Sequence, residues 1–325
     1  MTTSPDRPAH ATLSPDDWDD PAERRYAERQ AALAEECGVD AESRTVETDA
    51  AGRIHYLVAG DSAGEPVVLL HGVGTHAATW LPLVPALADD YRVYAPDRPG
   101  RGLSVAPSYR GRDLRSFLVS YLVELCDDLG LDRPHVVGNS LGGQQAFLLA
   151  LDHDRVDRLC LVGAPGGVSR ELPLSLRLLT MHGVSRLLFW LQRRGNPLET
   201  ARESVAQLVV DDSAVSTPFY ELLAAGQELP GRPQSLRSLN LEQGSFGRAH
   251  TLFDLTDELV ELDRPTCFCW GSDDAFWPPV MGRPVAERMA DARFHELPGH
   301  GHVPWLEPGE ETEACVRSFL DESGE

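Results

Sequence analysis

Short apolar runs alternate with longer amphipathic segments over most of this chain. The amphipathic segments Leu114–Leu129 and Leu141–Leu151 carry apolar residues at helical spacing, whereas the apolar runs are three to six residues long, as in buried strands. These runs are Val67–Leu70, Arg92–Ala95, His135–Val137, Arg158–Val162 and Pro265–Trp270. Strands that alternate with helices predict an α/β fold, in which helices cover both faces of a mostly parallel sheet.

Further elements flank this central pattern. Near the start, Asp20 can cap a helix in which Pro21 suits the first turn, Glu23 completes a capping box and Gly38 ends the helix. The sequence also predicts a strand pair before the central runs, a helix between the first and the second of them, and a helix, a strand and a final helix after them. These are Arg44–Thr48 with Ile54–Ala59, Ala78–Ala88, Val280–Ala290, Ala292–Leu297 and Glu310–Leu320.

The alternation stops after Gly163 and resumes at Pro265. Between these points the pattern is helical, over Leu172–Arg194, Leu198–Val210 and Thr217–Gln227. A helical block between two strands of one sheet is typical of an inserted lid. We therefore predict an acidic N-terminal arm with a helix (1–40), a core in two pieces (41–165 and 250–325) and a helical lid (166–249).

Gly138-Asn139-Ser140-Leu141-Gly142 lies where an apolar run meets a helical pattern. A Gly-x-Ser-x-Gly turn between a strand and a helix is typical of a nucleophile elbow, where a side chain on either flank would clash. The helix N-terminus beneath such a serine favours developing negative charge. Ser140 is therefore the candidate nucleophile.

A serine nucleophile needs a base and an orienting acid, and both have candidates after predicted strands. His302 is the candidate base, and His300 is its alternative in the same Gly-rich loop. Asp274 follows Trp270-Gly271 and is the candidate acid, with Asp273 as the alternative. A surface or metal-binding His-x-His and a helix-capping Asp are the structural alternatives.

The oxyanion of an acyl-transfer intermediate needs backbone N–H donors. His71-Gly72-Val73-Gly74 forms a Gly-rich turn directly after a buried strand. The N–H groups of Val73 and Leu141 are the predicted oxyanion hole. His71 is expected to brace the turn through hydrogen bonds, with catalysis by His71 as the alternative.

With these motifs in place, the chain resembles the lid-bearing α/β-hydrolases, a group that includes esterases, carbon–carbon bond hydrolases, haloperoxidase-like perhydrolases, epoxide hydrolases and haloalkane dehalogenases. The order Ser140, Asp274, His302 matches the Ser-acid-His order of that scaffold. The other matching motifs are His71-Gly72, Asp97–Ser104, Gly271–Asp274 and Gly301-His302. The resemblance implies an eight-stranded, mostly parallel sheet, and it makes the Asp97–Ser104 loop a structural turn.

Within that group the sequence favours a carboxylic ester hydrolase. Epoxide hydrolases and dehalogenases use an Asp nucleophile where this chain has Ser140. Carbon–carbon hydrolases usually carry a Ser-Gly-Pro-Gly-like oxyanion loop and a Trp after the catalytic His, whereas this chain has Val73–His76 and Val303. Carbon–carbon hydrolysis and perhydrolysis are therefore alternatives to ester hydrolysis. A non-catalytic binding protein on the same fold is a further alternative.

The substrate is predicted to be a small-to-medium apolar molecule. Aromatic residues in the predicted lid and after the site loops are candidates for its pocket: Trp80, Phe189, Trp190, Phe276 and Trp277. The apolar lid positions themselves are expected in core packing, and an acyl pocket is the alternative for them. The lid also carries Arg177, Arg186, Arg193 and Arg194, which either bind a substrate carboxylate or pair with acids on the surface.

The charge of the chain is strongly acidic. It has 51 Asp and Glu against 29 basic residues, all of them Arg, for a net charge of −22. Such a surface repels nucleic acids and anionic membranes, so neither is expected as a partner. An acidic chain without Lys resembles proteins of salt-loving microbes, and an acidic protein from an Arg-rich genome is the alternative.

Cysteine spacing and segment hydropathy predict the compartment. The six Cys show no Cys-x-x-Cys spacing and are expected as buried apolar residues, without disulfide or metal. No secretory pattern or membrane-length apolar run is present, so we predict a cytoplasmic protein. No cofactor or metal is predicted, the expected partner is a small-molecule substrate, and the oligomeric state is not determined by the sequence.

Overall fold

A computed structural model describes residues 10–169, 171–192, 194–245, 248–249 and 254–322. Its centre is an eight-stranded sheet in the order β1-β2-β4-β3-β5-β6-β9-β10. The strands are β1 Glu42–Thr48, β2 Gly52–Gly60, β3 Glu65–Leu70, β4 Tyr91–Pro96, β5 His135–Gly138, β6 Leu159–Val162, β9 Thr266–Gly271 and β10 Ala292–Leu297. A separate two-stranded pair joins β7 (Gly244–Ser245) to β8 (Arg248–Ala249).

The sheet is mostly parallel, as predicted. Strand β2 runs antiparallel to both of its neighbours, and every pairing from β4 to β10 is parallel. The carboxyl ends of β3, β5, β9 and β10 therefore meet at one edge of the sheet. The loops after these four strands carry the oxyanion, nucleophile, acid and base candidates.

Helices cover both faces of the sheet, and alternate strand residues face two apolar clusters. Val67 and Leu69 pack into one cluster, whereas Val68 and Leu70 pack into the other. The core helices are α1 Pro21–Glu36, α2 Leu114–Asp128, α3 Leu141–His153, α9 Pro279–Ala286 and α10 Glu311–Leu320. Both faces are thus buried, which explains why the central strands are continuous apolar runs.

The described residues between β6 and β9 form five helices, and we call residues 171–249 the inserted segment. They are α4 Leu174–Leu179, α5 His182–Gln192, α6 Pro197–Ala206, α7 Thr217–Glu228 and α8 Arg232–Gln243. The predicted helix Leu172–Arg194 is thus two helices that separate after Leu179. Helix α8 was not predicted, because its buried face includes the polar residues Arg232, Ser235 and Asn240.

The predicted helix Ala78–Ala88 is wrong. This stretch forms two 3₁₀ turns, Ala77–Trp80 and Val84–Ala86. Pro82 and Pro85 lack the N–H groups that an α-helix would need at these positions, so the chain makes i−3 bonds such as Leu83 N to Trp80 O.

The N-terminal helix α1 packs against the inserted segment. Its Asp20 cap accepts from the N–H groups of Ala22 and Glu23, as predicted. The Glu23 carboxylate does not return to the cap, however, and instead pairs with Arg53 at 3.0 Å and with Arg232 of α8 at 2.9 Å. Helix α1 therefore joins the core to the inserted helices.

The expectation of six unpaired cysteines is wrong, because a disulfide joins Cys269 of β9 to Cys315 of α10. Cys37, Cys126, Cys160 and Cys267 are free. The two paired residues are 46 positions apart, and sequence spacing gave no signal that α10 covers β9. Across the ranges described above, helices that combine the length and the apolar character needed to span a membrane are absent.

Candidate active site

Ser140 lies between β5 and α3 in a strained turn. Its backbone has φ 53° and ψ −118°, a conformation that L-residues rarely adopt. The turn needs its glycines, because a Cβ on Gly142 would lie 1.9 Å from the carbonyl oxygen of Leu70. Ser140 is thus held at the N-terminus of α3 in the geometry predicted for a nucleophile elbow.

His302 and Asp274 form a buried pair at the same edge of the sheet. The imidazole Nδ1 lies 2.7 Å from Oδ2 of Asp274, and both residues are less than a tenth exposed. Asp274 also accepts from the N–H groups of Ala164, Phe276 and Trp277 at 2.9–3.1 Å. Asp274 therefore fixes Nδ1 as the donor and leaves Nε2 to face the cleft as an acceptor.

The electrostatics of this pair favour the ionised carboxylate. Burial by itself raises the pKa of Asp274, but the His302 imidazole and the N–H groups of Trp277 and Phe276 outweigh it, so the pKa lies below its usual value. A carboxylate that stays ionised can stabilise an imidazolium as it forms.

The alternative acid and base occupy other positions. Asp273 is exposed and accepts from the Ser272 hydroxyl at 2.7 Å. His300 Nδ1 lies 2.9 Å from the carbonyl oxygen of Pro298. Among the described residues, the contacts of Asp273 and His300 do not include Ser140 or His302, so the structure pairs Asp274 with His302.

Asn139 connects the serine turn to the histidine loop. Its side-chain amide donates to the carbonyl oxygens of His302 at 2.9 Å and Val162 at 2.7 Å. The hydrogen bonds between described residues do not include one from the Ser140 hydroxyl to the imidazole. Catalytic hydrogen bonds are often long before substrate binds, so this geometry is compatible with proton transfer in a complex.

The N–H groups of Val73 and Leu141 are the candidate oxyanion donors. Neither donates to another described residue, and Leu141 is the first residue of α3. The peptide that carries the Val73 N–H is strongly polarised at its other end, the carbonyl of Gly72. That oxygen lies 2.8 Å from His71 Nδ1, 3.2 Å from an Arg98 guanidinium nitrogen and 3.3 Å from the Thr75 hydroxyl.

His71 braces this turn and has no free ring nitrogen. The N–H of Arg98 donates to Nε2 at 3.0 Å, so the proton is on Nδ1, where it reaches Gly72. Burial and the Arg98 charge hold the pKa of His71 well below its usual value. A neutral imidazole with both nitrogens in hydrogen bonds holds the turn in place.

Two of the five aromatic pocket candidates lie beside the imidazole. The ring centroids of Phe276 and Trp277 are 4.7 and 6.3 Å from that of His302. Trp80 is buried and stacks on Trp305 at 4.1 Å. Trp190 is 48% exposed beneath the Arg194 guanidinium, and Phe189 is half-buried on the same helix. The described contacts of Trp80, Phe189 and Trp190 do not reach the catalytic candidates.

The inserted segment presents apolar residues to solvent. Met181, Leu187 and Trp190 are each at least 40% exposed, so the expectation of core packing is wrong for these positions. Arg177 donates to the carbonyl oxygen of Leu172 at 2.6 Å. Arg186 is exposed, and Arg193 lies outside the described residues.

Glu307 ties the inserted segment to the histidine loop. Its buried carboxylate accepts from Gly301 N at 2.7 Å and from the N–H groups of Val210 and Asp211. The carbonyl oxygen of Leu208 accepts from His302 N at 2.7 Å and from Val303 N at 3.1 Å. The residues after α6 are therefore bonded directly to the backbone that carries the imidazole.

Sequence reasoning missed the positioning residues Asn139, Arg98 and Glu307. Each lies inside a motif that the sequence displays, next to Ser140, after Asp97 and downstream of His302. Their partners are backbone groups of other loops, so residue type and spacing give no sign of them.

Comparison with known proteins identifies the family. Residues 67–314 match the profile of the alpha/beta hydrolase family. This span includes the three catalytic candidates and the sheet from β3 onward, and the chain therefore belongs to the alpha/beta hydrolase family and is a hydrolase.

Two curated relatives share a type of activity. The chain is 32% identical over 275 residues to 2-hydroxy-6-oxo-6-phenylhexa-2,4-dienoate hydrolase of Burkholderia cepacia, covering 83% of this chain and 90% of the relative. It is 29% identical over 286 residues to 2-hydroxy-6-oxononadienedioate/2-hydroxy-6-oxononatrienedioate hydrolase of Comamonas testosteroni, covering the same shares.

Among solved structures, a carboxylesterase from Bacillus subtilis is similar to this chain with a TM-score of 0.74 at 20% identity. It covers 93% of this chain and 99% of its own. At that identity the likeness supports the shared fold only.

The relatives overturn the expectation of a carboxylic ester hydrolase, because both are named hydrolases of 2-hydroxy-6-oxo acids. The expectation failed because it relied on the side chains of Val73–His76 and on Val303. In the structure the candidate oxyanion donor at position 73 is a backbone N–H group. The side chain of the residue at that position therefore does not indicate which reaction the site performs.

Proposed function

We propose that this protein hydrolyses the carbon–carbon bond beside the ketone of a 2-hydroxy-6-oxo-dienoate. The observation that carries the proposal is the similarity to the Burkholderia cepacia hydrolase, at 32% identity over 83% of the chain. Ser140, His302 and Asp274 are the proposed triad, and the N–H groups of Val73 and Leu141 are the proposed oxyanion donors.

The substrate chemistry sets what the site must do. A carbon–carbon bond breaks heterolytically only if the departing carbon can hold an electron pair. Moving the proton of the 2-hydroxyl to C5 makes a 2-oxo acid in which the pair released at C5 delocalises onto the C2 oxygen. The net reaction adds one water and yields a carboxylic acid and a 2-hydroxydienoate.

The proposed residues then act in sequence. His302 takes the Ser140 proton as Oγ attacks the C6 ketone, while Asp274 stabilises the imidazolium. The Val73 and Leu141 N–H groups bind the oxyanion at C6. The C5–C6 bond breaks with its electrons moving toward the C2 oxygen, and the His302 imidazolium gives its proton to the departing dienolate. A water activated by the neutral His302 then releases the acid from Ser140.

The inserted segment is the proposed lid, and residues beside the imidazole are the proposed acyl pocket. Phe276 and Trp277 lie within 6.3 Å of the His302 ring, ring centroid to centroid. A pocket of ≈ 260 Å³ next to them is lined by Leu208, Val209 and Gly301 among others. The apolar residues of this lining suit a phenyl or alkyl group on the C6 ketone.

The test is turnover of 2-hydroxy-6-oxo-6-phenylhexa-2,4-dienoate, followed by loss of its dienolate absorbance and by chromatography of benzoate. We expect stoichiometric benzoate and 2-hydroxypenta-2,4-dienoate from the native protein. Ser140→Ala should lower the rate by about 10⁴-fold or more, because the proposed nucleophile is removed. Turnover of p-nitrophenyl esters without loss of the dienoate would contradict the proposal.

A further inference from the structure

Four of the six cysteines converge at one place in the core, away from the catalytic candidates. Cys160, Cys267 and Cys269 are buried, and Cys315 is partly buried against them. Sγ of Cys269 lies 3.7 Å from that of Cys267 and 4.0 Å from that of Cys160. Sγ of Cys267 also lies 4.0 Å from that of Cys315. We call these four residues the sulfur cluster.

The topology explains why the four sulfurs meet. Cys160 of β6 and Cys267 of β9 are register partners on neighbouring parallel strands. Cys269 lies two residues after Cys267 and so faces the same side of the sheet. Helix α10 covers that side and contributes Cys315. Three sulfurs from two strands and one from the covering helix thus meet on one side of the sheet.

Three of the sulfur–sulfur distances match those of a tetrathiolate metal site. A zinc–sulfur bond of about 2.3 Å in a tetrahedron places neighbouring sulfurs about 3.8 Å apart. Sulfur distances of 3.7, 4.0 and 4.0 Å are close to that value, and the sulfurs of Cys160, Cys267 and Cys269 all lie within 4.8 Å of one another. The Cys269–Cys315 pair is shorter because these two are joined as a disulfide.

We propose that the sulfur cluster, once its disulfide is reduced, binds one thiophilic metal ion such as Zn²⁺ through Cys160, Cys267, Cys269 and Cys315. The cluster therefore has two alternative closed states, a disulfide with two free thiols and a metal tetrathiolate. Both states tie α10 to β9. The proposal is independent of the proposed hydrolytic activity.

The two states interconvert by balanced reactions. A dithiol reductant gives two electrons and two protons to the Cys269–Cys315 bond and becomes a disulfide itself. Four thiols then release four protons as Zn²⁺ binds, leaving a complex of net charge −2.

Ordinary core packing is the competing explanation for buried cysteines. Cys126 illustrates it, since this residue is buried as a free thiol in the opposite apolar cluster. Apolar packing does not require four sulfurs at contact distance, whereas metal binding does. Cys315 is the partly buried member, so reductant and metal have a route to the cluster from the α10 side.

The experiment is a Co²⁺ titration of the full-length protein after reduction with a dithiol and removal of reductant and metals under inert gas. We expect binding of one Co²⁺ per chain, with the sulfur-to-metal charge-transfer and d–d absorption bands of a tetrahedral thiolate complex. One equivalent of Zn²⁺ should bleach these bands. Protein left oxidised should show none of them, because two ligands remain in the disulfide. Absence of the bands from the reduced protein would overturn the proposal.

Two variants separate metal ligation from packing. Cys160→Ser keeps the disulfide but removes one ligand, and it should weaken Co²⁺ binding by at least about tenfold. Cys126→Ser removes a buried thiol outside the cluster and should leave binding unchanged. Circular dichroism and a thiol count on each oxidised variant check the fold and the disulfide. Native-like Co²⁺ affinity and spectrum in folded Cys160→Ser would overturn the four-ligand site.

Discussion

The carboxylate of Asp274 accepts four hydrogen bonds, and only one of them comes from His302. The other three are N–H groups of the loops after β6 and β9, so the acid is fixed independently of the base. A carboxylate held in this way orients the imidazole without having to move during catalysis. The same contacts stabilise the charged carboxylate, and the pKa of Asp274 is lowered for that reason.

Asp274→Asn should lower kcat for dienoate hydrolysis by about 10⁴-fold, because an amide favours the wrong imidazole tautomer. Stopped-flow assays of the purified variant measure this. Asp273→Asn, which changes the exposed neighbour, is the matched control and should retain native kcat. Equal losses in the two variants would contradict the assignment of Asp274.

Arg98 acts on the proposed oxyanion hole through the peptide that joins Gly72 to Val73. Arg98→Met removes a charged donor from the Gly72 carbonyl and should lower kcat by about 10- to 100-fold, with a smaller change in KM, since the oxyanion exists only along the reaction path. Steady-state kinetics measure the split. Arg101→Met is the comparison, because Arg101 donates to Gly74 and Thr75 instead. A change confined to KM would argue against polarisation of this peptide.

His76 shows how a buried residue sets the response to acid. Both of its ring nitrogens lack a partner among the described residues, and burial lowers its pKa from 6.5 to about 3. As pH falls through 6.5 the unfolded chain takes up this proton and the folded chain does not, so protonation favours unfolding until about pH 3. The free energy of unfolding should fall across this window by up to about 1.4 kcal/mol per pH unit.

His76→Phe removes that titration while keeping a ring against Tyr26. Urea unfolding at fixed salt, between pH 6.5 and 4, should therefore give a shallower dependence on pH for the variant than for the native protein. A variant with the native slope would show that His76 is protonated in the folded state over this range.

At the scale of elements, the predictable and unpredictable parts of the structure have different physical causes. Strands β3, β5, β6 and β9 are apolar because helices cover both sheet faces, and this pattern can be recognised locally. Helix α8 could not be recognised from the sequence, because its buried face carries polar side chains. One of them, Arg232, pairs with Glu23 only in the folded chain. Cys269 and Cys315 likewise meet through tertiary packing.

The catalytic candidates were predictable because each follows a strand within a short motif. The residues that position them were not, since Asn139, Arg98 and Glu307 act on backbone groups far along the chain. The similarity to named 2-hydroxy-6-oxo acid hydrolases was the least predictable, because the features used to separate esterases from carbon–carbon hydrolases concern side chains that flank backbone donors.

Glu307 offers a test of the connection between the inserted segment and the histidine loop. Glu307→Gln should place an amide N–H₂ group against the N–H donors of Gly301, Val210 or Asp211, and it thereby breaks at least one hydrogen bond. We expect kcat to fall about tenfold and limited proteolysis between α6 and α7 to quicken. Exposed Glu310→Gln is the control. Unchanged cleavage and kcat in Glu307→Gln would show that the two loops hold their positions independently.

A net charge of −22 is the dominant electrostatic property of the protein. Like charges on a compact surface repel, and salt shortens the reach of that repulsion from about 10 Å at 0.1 M to about 3 Å at 1 M. Ion pairs such as Arg115 with Asp152 and Glu258 do not reduce this excess, because every Arg is already counted in the net charge.

Thermal stability should therefore rise with salt. Between 0.1 M and 2 M KCl we expect Tm to increase by about 5 °C or more, measured by scanning calorimetry. Sucrose at matched osmolality is the control, because it excludes itself from the surface without screening charge. A Tm that is constant or falls with KCl would exclude adaptation to high salt.

The carbonyl oxygen of Leu208 receives the N–H groups of both His302 and Val303, and this shared anchor has a consequence for the reaction cycle. If substrate enters by displacing the residues after α6, the same movement breaks the two hydrogen bonds to Leu208. It thereby releases the backbone that carries the imidazole of the candidate base. Substrate entry and bond cleavage therefore cannot occur at the same time, because entry displaces the residues that hold the His302 backbone in place. Bulk water would meet the acyl group only after the first product has left.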